Sequence, residues 1–369
     1  MGGNLSGMRV ERTVPAGNFV RVVRIVRIAA AIIAAAMMAG CDDTAVAPAD
    51  GGADAPPSAG YTIAVLPDTQ YYSSSWPDIF MAQTRWLVES RAERQIAFVL
   101  HTGDLVDDDV PEQWSVASQA MHALDGQLPY VLTAGNHDYD PAGLADRMGM
   151  GSAYFPPLQM AAYPWFQGTF EPGHIENSFN LFDVPDGRWL VLALEFGPRD
   201  EVLAWANQIL ATFHDTRAIV ITHAYLYRDG TLYDHVGSPQ QRFNPHEYVM
   251  MGQPGTTIND GAEMWTKLIA PNSNVKLVFS GHDVNGGGIP PGTAARLTST
   301  RPDGTTVQQV LANYQTCTAA PCASVHGGNG FLRLLRFPAS GSTVSVETYS
   351  PYLDQSLTDA ANQFTLEVK

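Results

Sequence analysis

Positive charge is scarce in this chain. Its 369 residues hold 21 lysines and arginines against 37 aspartates and glutamates, a formal net charge of -16. The imbalance is uneven. Residues 1–40 carry Arg9, Arg12, Arg21, Arg24 and Arg27 against Glu11 alone, a net of +4, so the remainder carries -20. A body of that sign repels nucleic acid and anionic lipid at long range, which argues against a nucleic-acid partner. Bound divalent cations would reverse the sign locally. Cysteine is scarcer still. Cys41, Cys317 and Cys322 are the full complement, and Cys317 with Cys322 lacks the matching second pair that a four-cysteine metal site needs. Long hydrophobic runs are also missing. The apolar stretch Ile28–Ala39 falls short of the roughly 20 residues that span a bilayer. No internal repeat and no separate second domain is evident. Hydrophobic residues nevertheless make up 45% of the chain and charged ones 16%, so a sizeable core is expected and wholesale disorder is not.

The N-terminus reads as a processing segment. A basic region ending at Arg27 precedes the short apolar core, the pattern of an export signal. That core runs into Met38-Ala39-Gly40-Cys41, which resembles a bacterial lipoprotein signal with cleavage before Cys41 and lipid on its sulfur. The alternatives are an ordinary signal peptide cut at small residues, or an uncleaved anchor. Residues 41–60 are rich in Ala, Pro, Gly and Asp without periodicity and read as a flexible linker. The expected organisation is thus a signal at 1–40, a tether at 41–60 and one domain at 61–369, exported and facing the periplasm or cell surface. Oxidising conditions there predict a local Cys317–Cys322 disulfide.

From Tyr61 onward, apolar strands alternate with amphipathic helices, which predicts an α/β fold with right-handed crossovers. Helices are expected over Pro77–Ala92, Pro111–Leu124, Arg199–His214 and Gly261–Ile269, and a strand pair around Pro185-Asp186-Gly187. After Gly292 strands and turns take over, and these are expected to complete a second sheet. Residues 140–176 and 224–259 read as irregular excursions, and long loops in compact domains are usually functional.

Polar residues collect at the strand ends. Val99-Leu100-His101 leads into Gly103-Asp104-Leu105-Val106-Asp107. Tyr61–Pro67 leads into Asp68-Thr69-Gln70, and Leu128–Ala134 into Gly135-Asn136-His137-Asp138. Arg217–Thr222 leads into His223, and Asn274–Ser280 into Gly281-His282-Asp283. The carboxyl edge of a sheet is where α/β folds keep their ligand sites. Taken singly, each acidic turn is explained by helix capping. Five in this order share no such explanation.

That order resembles the calcineurin-like metallophosphoesterase superfamily, in particular a bacterial subset with Asp-Thr-Gln in the first motif. Leu311-Ala-Asn-Tyr-Gln315 and Gly327–Arg336 are similar to the same subset. The resemblance implies a sandwich of two mixed β-sheets flanked by helices, with the metal site at the carboxyl edge of the strands. It implies two divalent ions, of which Mn, Fe or Zn fit mixed oxygen and imidazole donors. Asp104 would bridge them, Asp68 and Gln70 would serve the first, and Asn136, His223 and His282 the second. A hydroxide between the ions would attack phosphorus in line. His137 would protonate the leaving oxygen and Asp107 would orient His137. The implied protein is a phosphoesterase acting on small phosphate mono- or diesters; its oligomeric state is left open, with a monomer favoured. Two departures weaken the first metal. Gln70 replaces a histidine, and Val284 stands where the family usually has another. Asn285 is one residue removed from that position. The alternative is a non-catalytic binding protein on a degenerate phosphoesterase fold.

The other histidines take a plain structural reading first; for His101, which closes the strand before the acidic turn, support of the ligands from behind is the alternative. His174, His235 and His246 lie in the excursions and could touch substrate. His122, His214 and His326 are read as structural or solvent-facing. Tyr139, Tyr225, Tyr227 and Arg228 directly follow ligand motifs, either to contact substrate or to pack the loop bases.

Overall fold

The computed structural model describes residues 60–139, 146–252, 256–284, 294–315 and 326–369. The expected signal and tether, with Cys41, and also Cys317, Cys322 and Asn285, lie outside the described residues. Two seven-stranded mixed sheets stack face to face. The first has the order β13-β12-β11-β1-β2-β3, with β14 also paired to β12. Its centre is β1 (Tyr61–Leu66), β2 (Ile96–His101) and β3 (Tyr130–Leu132), all parallel. The second has the order β4-β5-β6-β7-β8-β10-β9. Its centre is β6 (Gly187–Leu194), β7 (Arg217–Thr222) and β8 (Val275–Ser280), again parallel.

The pleat explains the layers. Along β6, Trp189, Val191 and Ala193 join the core between the sheets, while Leu190, Leu192 and Leu194 face the opposite side. Outside the second sheet lie α6 (Asp200–Thr212) and α7 (Gly261–Met264), the latter running into a π-helical turn at Trp265–Ile269. Val202, Leu203, Ala206 and Leu210 of α6 close that outer core with Met264, Leu268 and Ile269. Outside the first sheet lie α1 (Gln70–Ser75), α2 (Pro77–Ser90) and α3 (Pro111–His122). They contribute Phe80, Leu87, Trp114, Ala117 and Met121 to the main core. Proline opens both α2 and α3, where its missing N–H costs nothing.

The expected sandwich is therefore present, with three differences. The segment 146–176 is not wholly irregular. It forms α4 (Gly151–Tyr154), α5 (Pro157–Met160) and the edge strand β4 (Phe166–Thr169), which pairs with β5 (Ser178–Val184). Such short elements carry no periodicity to read. Gly261–Ile269 changes hydrogen-bond register halfway instead of forming one α-helix. The C-terminal strands do not all build a second sheet. β9 (Ala294–Thr300) and β10 (Thr306–Ala312) extend the second sheet, with β10 parallel to β8. β11 (Leu332–Phe337), β12 (Thr343–Ser350), β13 (Gln355–Leu357) and β14 (Phe364–Glu367) extend the first through β1. The chain thus returns to its first strand, and strand pairing at that sequence separation leaves no local signature.

One contact ties the sheets together at the end away from the ligand-bearing turns. Trp189 of the second sheet donates Nε1–H to the Tyr61 hydroxyl of the first at 2.9 Å. Phe337 stacks on Tyr61 at 4.7 Å and meets Trp189 edge-on at 5.7 Å, while Arg217 lies over Trp189 at 4.3 Å. Trp189 is fully buried. Trp189→Ala should cost about 3–5 kcal/mol of folding free energy, read by chemical denaturation. A loss under about 1 kcal/mol would show that the two sheets can collapse onto the void.

Candidate metal centre

The five ligand-bearing turns meet at the carboxyl ends of β1, β2, β3, β7 and β8, across the seam between the sheets. Asp104 sits deepest. Gly103 and Asp104 both take positive φ, 95° and 52°, which folds the carboxylate back beneath the strand end. Gly103 adopts that conformation without strain, whereas an aspartate there is uncommon. Asp104 Oδ1 accepts the His137 amide at 3.0 Å, and Oδ2 lies 3.0 Å from His223 Nε2. Burial works to raise the Asp104 carboxyl, but the imidazoles of His223 and His137 outweigh it and hold it below the usual carboxylate range.

Asp68, fully buried after β1, accepts the His282 amide at 2.9 Å and the Asn313 side-chain amide at 2.6 Å, both on Oδ2. Oδ1 has no hydrogen-bond partner among the described residues. Burial pushes its pKa up to about 7, against the pull of His223 3.9 Å away. Each histidine is held by its rear nitrogen. His223 Nδ1 donates to the Thr102 carbonyl at 2.8 Å, and His282 Nε2 to the Phe243 carbonyl at 2.8 Å. A ring so anchored presents the lone pair of its other nitrogen forward, as metal-binding imidazoles do. The flanking Asp104 and Asp68 carboxylates raise His223 to about 9 against burial, while burial lowers His282 to about 3. His282, like Asp104, has positive φ, 67°. Two non-glycine residues in that region at one site is where stored backbone strain is expected to serve a function.

Two further observations fit this donor set to divalent cations. First, Asp68 Oδ1, Gln70 Oε1, Asn136 Oδ1 and His223 Nε2 are buried without hydrogen-bond partners among the described residues. His223 Nε2 stands at ion-pair distance, 3.0 Å, from the Asp104 carboxylate. Buried polar atoms are almost always satisfied, so four orphans at one place need a partner. Second, the surrounding turns leave room for nothing larger than hydrogen. A Cβ added at Gly135 would overlap the Asp104 carboxylate, and one at Gly281 would overlap that of Asp68. Donor atoms of Asp104, His223 and His282 lie within 4.8 Å of one another. Val284 lines the adjoining cavity of about 160 Å³ together with Gln70, Asn136 and His137, and offers no donor there.

His137 stands at the rim, its side chain 39% exposed. Its Nδ1 bonds the backbone carbonyl of Asp107 at 2.7 Å, and the Asp107 carboxylate is more distant, at 3.6 Å. Asp107 therefore meets His137 first through its main chain. Burial lowers the His137 pKa, but the Asp104 charge and the Asp107 carbonyl more than offset it, leaving a net rise. Next to this rim a groove of about 340 Å³ runs past Tyr71, Ser74, Trp76 and Asp107.

Several supporting residues escaped the sequence reading. Asp138 accepts amides from Leu105, Val106 and Gly135 at 2.7–3.1 Å, lacing two ligand turns together. Asn313 fixes Asp68 and also donates to the His282 carbonyl at 3.2 Å. Both lie in motifs already visible, but only the fold says which atoms they hold. His101 does lie behind the ligands: its Nδ1 accepts the Gly103 amide at 3.2 Å and its Nε2 bonds the Thr69 hydroxyl at 3.0 Å. Burial lowers its pKa to about 3, so it is neutral. Among the residues left without a role, Tyr225 buries its hydroxyl against Gln309 at 2.7 Å, and Arg228 pairs with Asp283 at 2.6 Å. Neither these nor Tyr139 and Tyr227 line the cavity. His174 faces Glu176 at 3.8 Å. His235 and His246 lie in a separate cluster.

The sequence profile of calcineurin-like phosphoesterases matches residues 61–286. A curated protein of Bacillus subtilis (strain 168), described as uncharacterized protein YvnB, is 32% identical over 308 residues. That alignment covers 79% of this chain but 20% of the relative, so the chain spans about a fifth of its length. Among solved structures, NAD nucleotidase of Haemophilus influenzae is similar at a TM-score of 0.39 and 12% identity, covering 84% of this chain and 50% of that one. The Plasmodium protein GAP50, an anchor in the inner membrane complex, is similar at a TM-score of 0.43 and 12% identity, over 84% and 90%. Because that family profile spans 61–286, more than half of the sequence, this chain belongs to the calcineurin-like phosphoesterase family.

Proposed function

We propose that the protein is an exported, metal-dependent phosphoesterase that hydrolyses small phosphate esters while tethered to a membrane surface by lipid on Cys41. The observation that carries the catalytic part is the set of four orphaned buried donors facing Asp104 and His282. Asp68, Gln70 and Asp104 would hold one divalent ion, and Asp104, Asn136, His223 and His282 a second. When bound, such ions neutralise charge on a phosphoryl group and lower the pKa of water beside it.

The chain's own residues do the rest. The glycines at 135 and 281 let the carboxylates approach, and Gly103 leaves space for the His223 ring. Thr102 and Phe243 fix the imidazoles by their carbonyls. His137, anchored through Nδ1, keeps its second nitrogen for the leaving oxygen, and Asp104 favours its charged form. The groove past Tyr71 and Trp76 would receive the departing alcohol.

Turnover of a panel of phosphate mono- and diesters by the purified, metal-loaded protein is the direct test. No turnover, with less than one ion retained per chain, would instead favour a binding protein on a degenerate phosphoesterase fold. Within an active panel, His137→Ala should lower turnover about 10² to 10⁴-fold for poor leaving groups. Esters of very acidic alcohols should suffer less, because they need little protonation. Equal loss across both classes would make His137 a positioning residue and not an acid.

The two metal sites should be unequal. Asn136, His223, His282 and Asp104 form the richer set, whereas among the described residues Asp68 and Asp104 are joined only by the neutral Gln70, with Val284 lining the same cavity. Calorimetric titration of the apoprotein should show one tight and one weak event from this centre, with Mn²⁺ restoring activity after mild chelation. Val284→His should strengthen the weak event. Two equal, chelator-resistant events would mean that another residue completes the first site.

For the tether, Cys41→Ser should move the protein to the soluble fraction or leave its precursor unprocessed. Unchanged mass and membrane fractionation would remove the lipid anchor from the proposal.

A further inference from the structure

Away from the catalytic seam, a second group of metal-ligating side chains converges. One donor atom from each of His235, His246, Asp260 and Glu263 lies within 4.8 Å of the others. The cluster joins two parts of the chain. His235 and His246 come from the excursion after β7, and Asp260 and Glu263 from the first turn of α7, as N-cap and third residue. The two imidazole rings stack at 3.6 Å with planes 23° apart. Each ring meets one carboxylate: His235 Nδ1 lies 2.9 Å from Asp260 Oδ2, and His246 Nε2 lies 2.7 Å from Glu263 Oε2.

The donor set is mixed and carries two negative charges. Asp260 is fully buried, His246 is 12% exposed, and Glu263 and His235 are 28% and 33% exposed. A pair of carboxylates so placed needs compensating charge. Among the described residues, their ion pairs are with these two imidazoles alone. Lys267, the nearest lysine in sequence, bonds Asp200 and Asn259. We propose that His235, His246, Asp260 and Glu263 form a structural site for a first-row transition ion of the zinc type, separate from the catalytic centre.

Two imidazoles with two carboxylate oxygens are four hard-to-borderline donors, the number zinc takes in structural sites. Ligand distances of about 2.0–2.2 Å around a tetrahedral ion put the donors about 3.3 Å apart, so the four need only contract modestly. On binding, the ion takes the place of the protons now shared between each imidazole and its carboxylate. Partial exposure of His235 and Glu263 gives it a route in. The site would act as a clip. The excursion it fastens to α7 also carries Phe243, whose carbonyl holds His282, and Tyr248, which packs edge-on against Phe196 at 4.9 Å. The proposal stands apart from the phosphoesterase reading, since none of its residues touches the catalytic cavity.

The test is to strip the full-length protein of metal, reload it with Zn²⁺, remove excess ion and count zinc per chain. His235→Asn and Glu263→Gln should each hold one ion fewer than the parent, whatever the catalytic centre retains. Zinc should raise the unfolding temperature of the parent by several degrees more than that of either variant. Equal counts and equal shifts would overturn the site and leave the four side chains as a hydrogen-bonded helix cap. If a variant does not fold, the parent alone decides the matter. Diethyl pyrocarbonate labelling, read by peptide mass, should reach His235 in the stripped protein and be suppressed at least several-fold by Zn²⁺. Undiminished labelling at saturating Zn²⁺ would equally overturn the proposal.

Discussion

Two carboxylates, Asp68 and Asp104, are buried side by side at the seam between two sheets, with the His223 imidazole close to both. Desolvating a charge costs several kcal/mol even after relaxation, so such a pair survives only where the rest of the structure compels it. Here the compulsion is visible residue by residue. Asp138 gathers three amides and binds the second and third turns into one unit. Asn313 and the His282 amide grip one oxygen of Asp68 and leave the other bare. Positive φ at Asp104 and His282 adds backbone strain to the same place. An arrangement so costly without a cation makes sense as the frame of a cation site.

The walls of the site depend on further buried charge. Glu195, just past β6, is almost fully buried and meets Arg199 at 2.9 Å and Arg147 at 3.4 Å. Burial tends to raise its pKa, but those guanidinium groups more than reverse the effect. Arg147 also donates to the carbonyls of Phe196 and Gly197 at 2.6 Å, which fastens the segment after β3 to the end of β6. On the other side, Arg228 bonds Asp283 through both its main chain and its guanidinium. The segment after His223 is thereby tied to the residue following His282. Ligand turns and cavity walls are held by polar contacts, while the sheets behind them are held by apolar packing.

Much of this was written in the chain itself. Apolar runs of strand length, each ending in Asp, Asn or His, located β1, β2, β3, β7 and β8, and with them every residue assigned to the metal centre. Proline at the start of α2 and α3, and the spacing of Val202, Leu203 and Leu210, did the same for helices. These features were legible because periodicity, capping and turn chemistry act over a few residues. What the sequence could not express was which distant segments share a wall. Only the folded chain returns β11 to β1, lays β10 parallel to β8, and sets Asn313 against Asp68 across 245 positions. Asp107 looked like a carboxylate partner for His137, yet the fold brings its carbonyl closer. His235 and His246 were two unremarkable loop histidines until α7 brought Asp260 and Glu263 beneath them. Local chemistry chose the ligands, and the meeting of strand ends from two sheets, decided by burial over the whole domain, chose their neighbours.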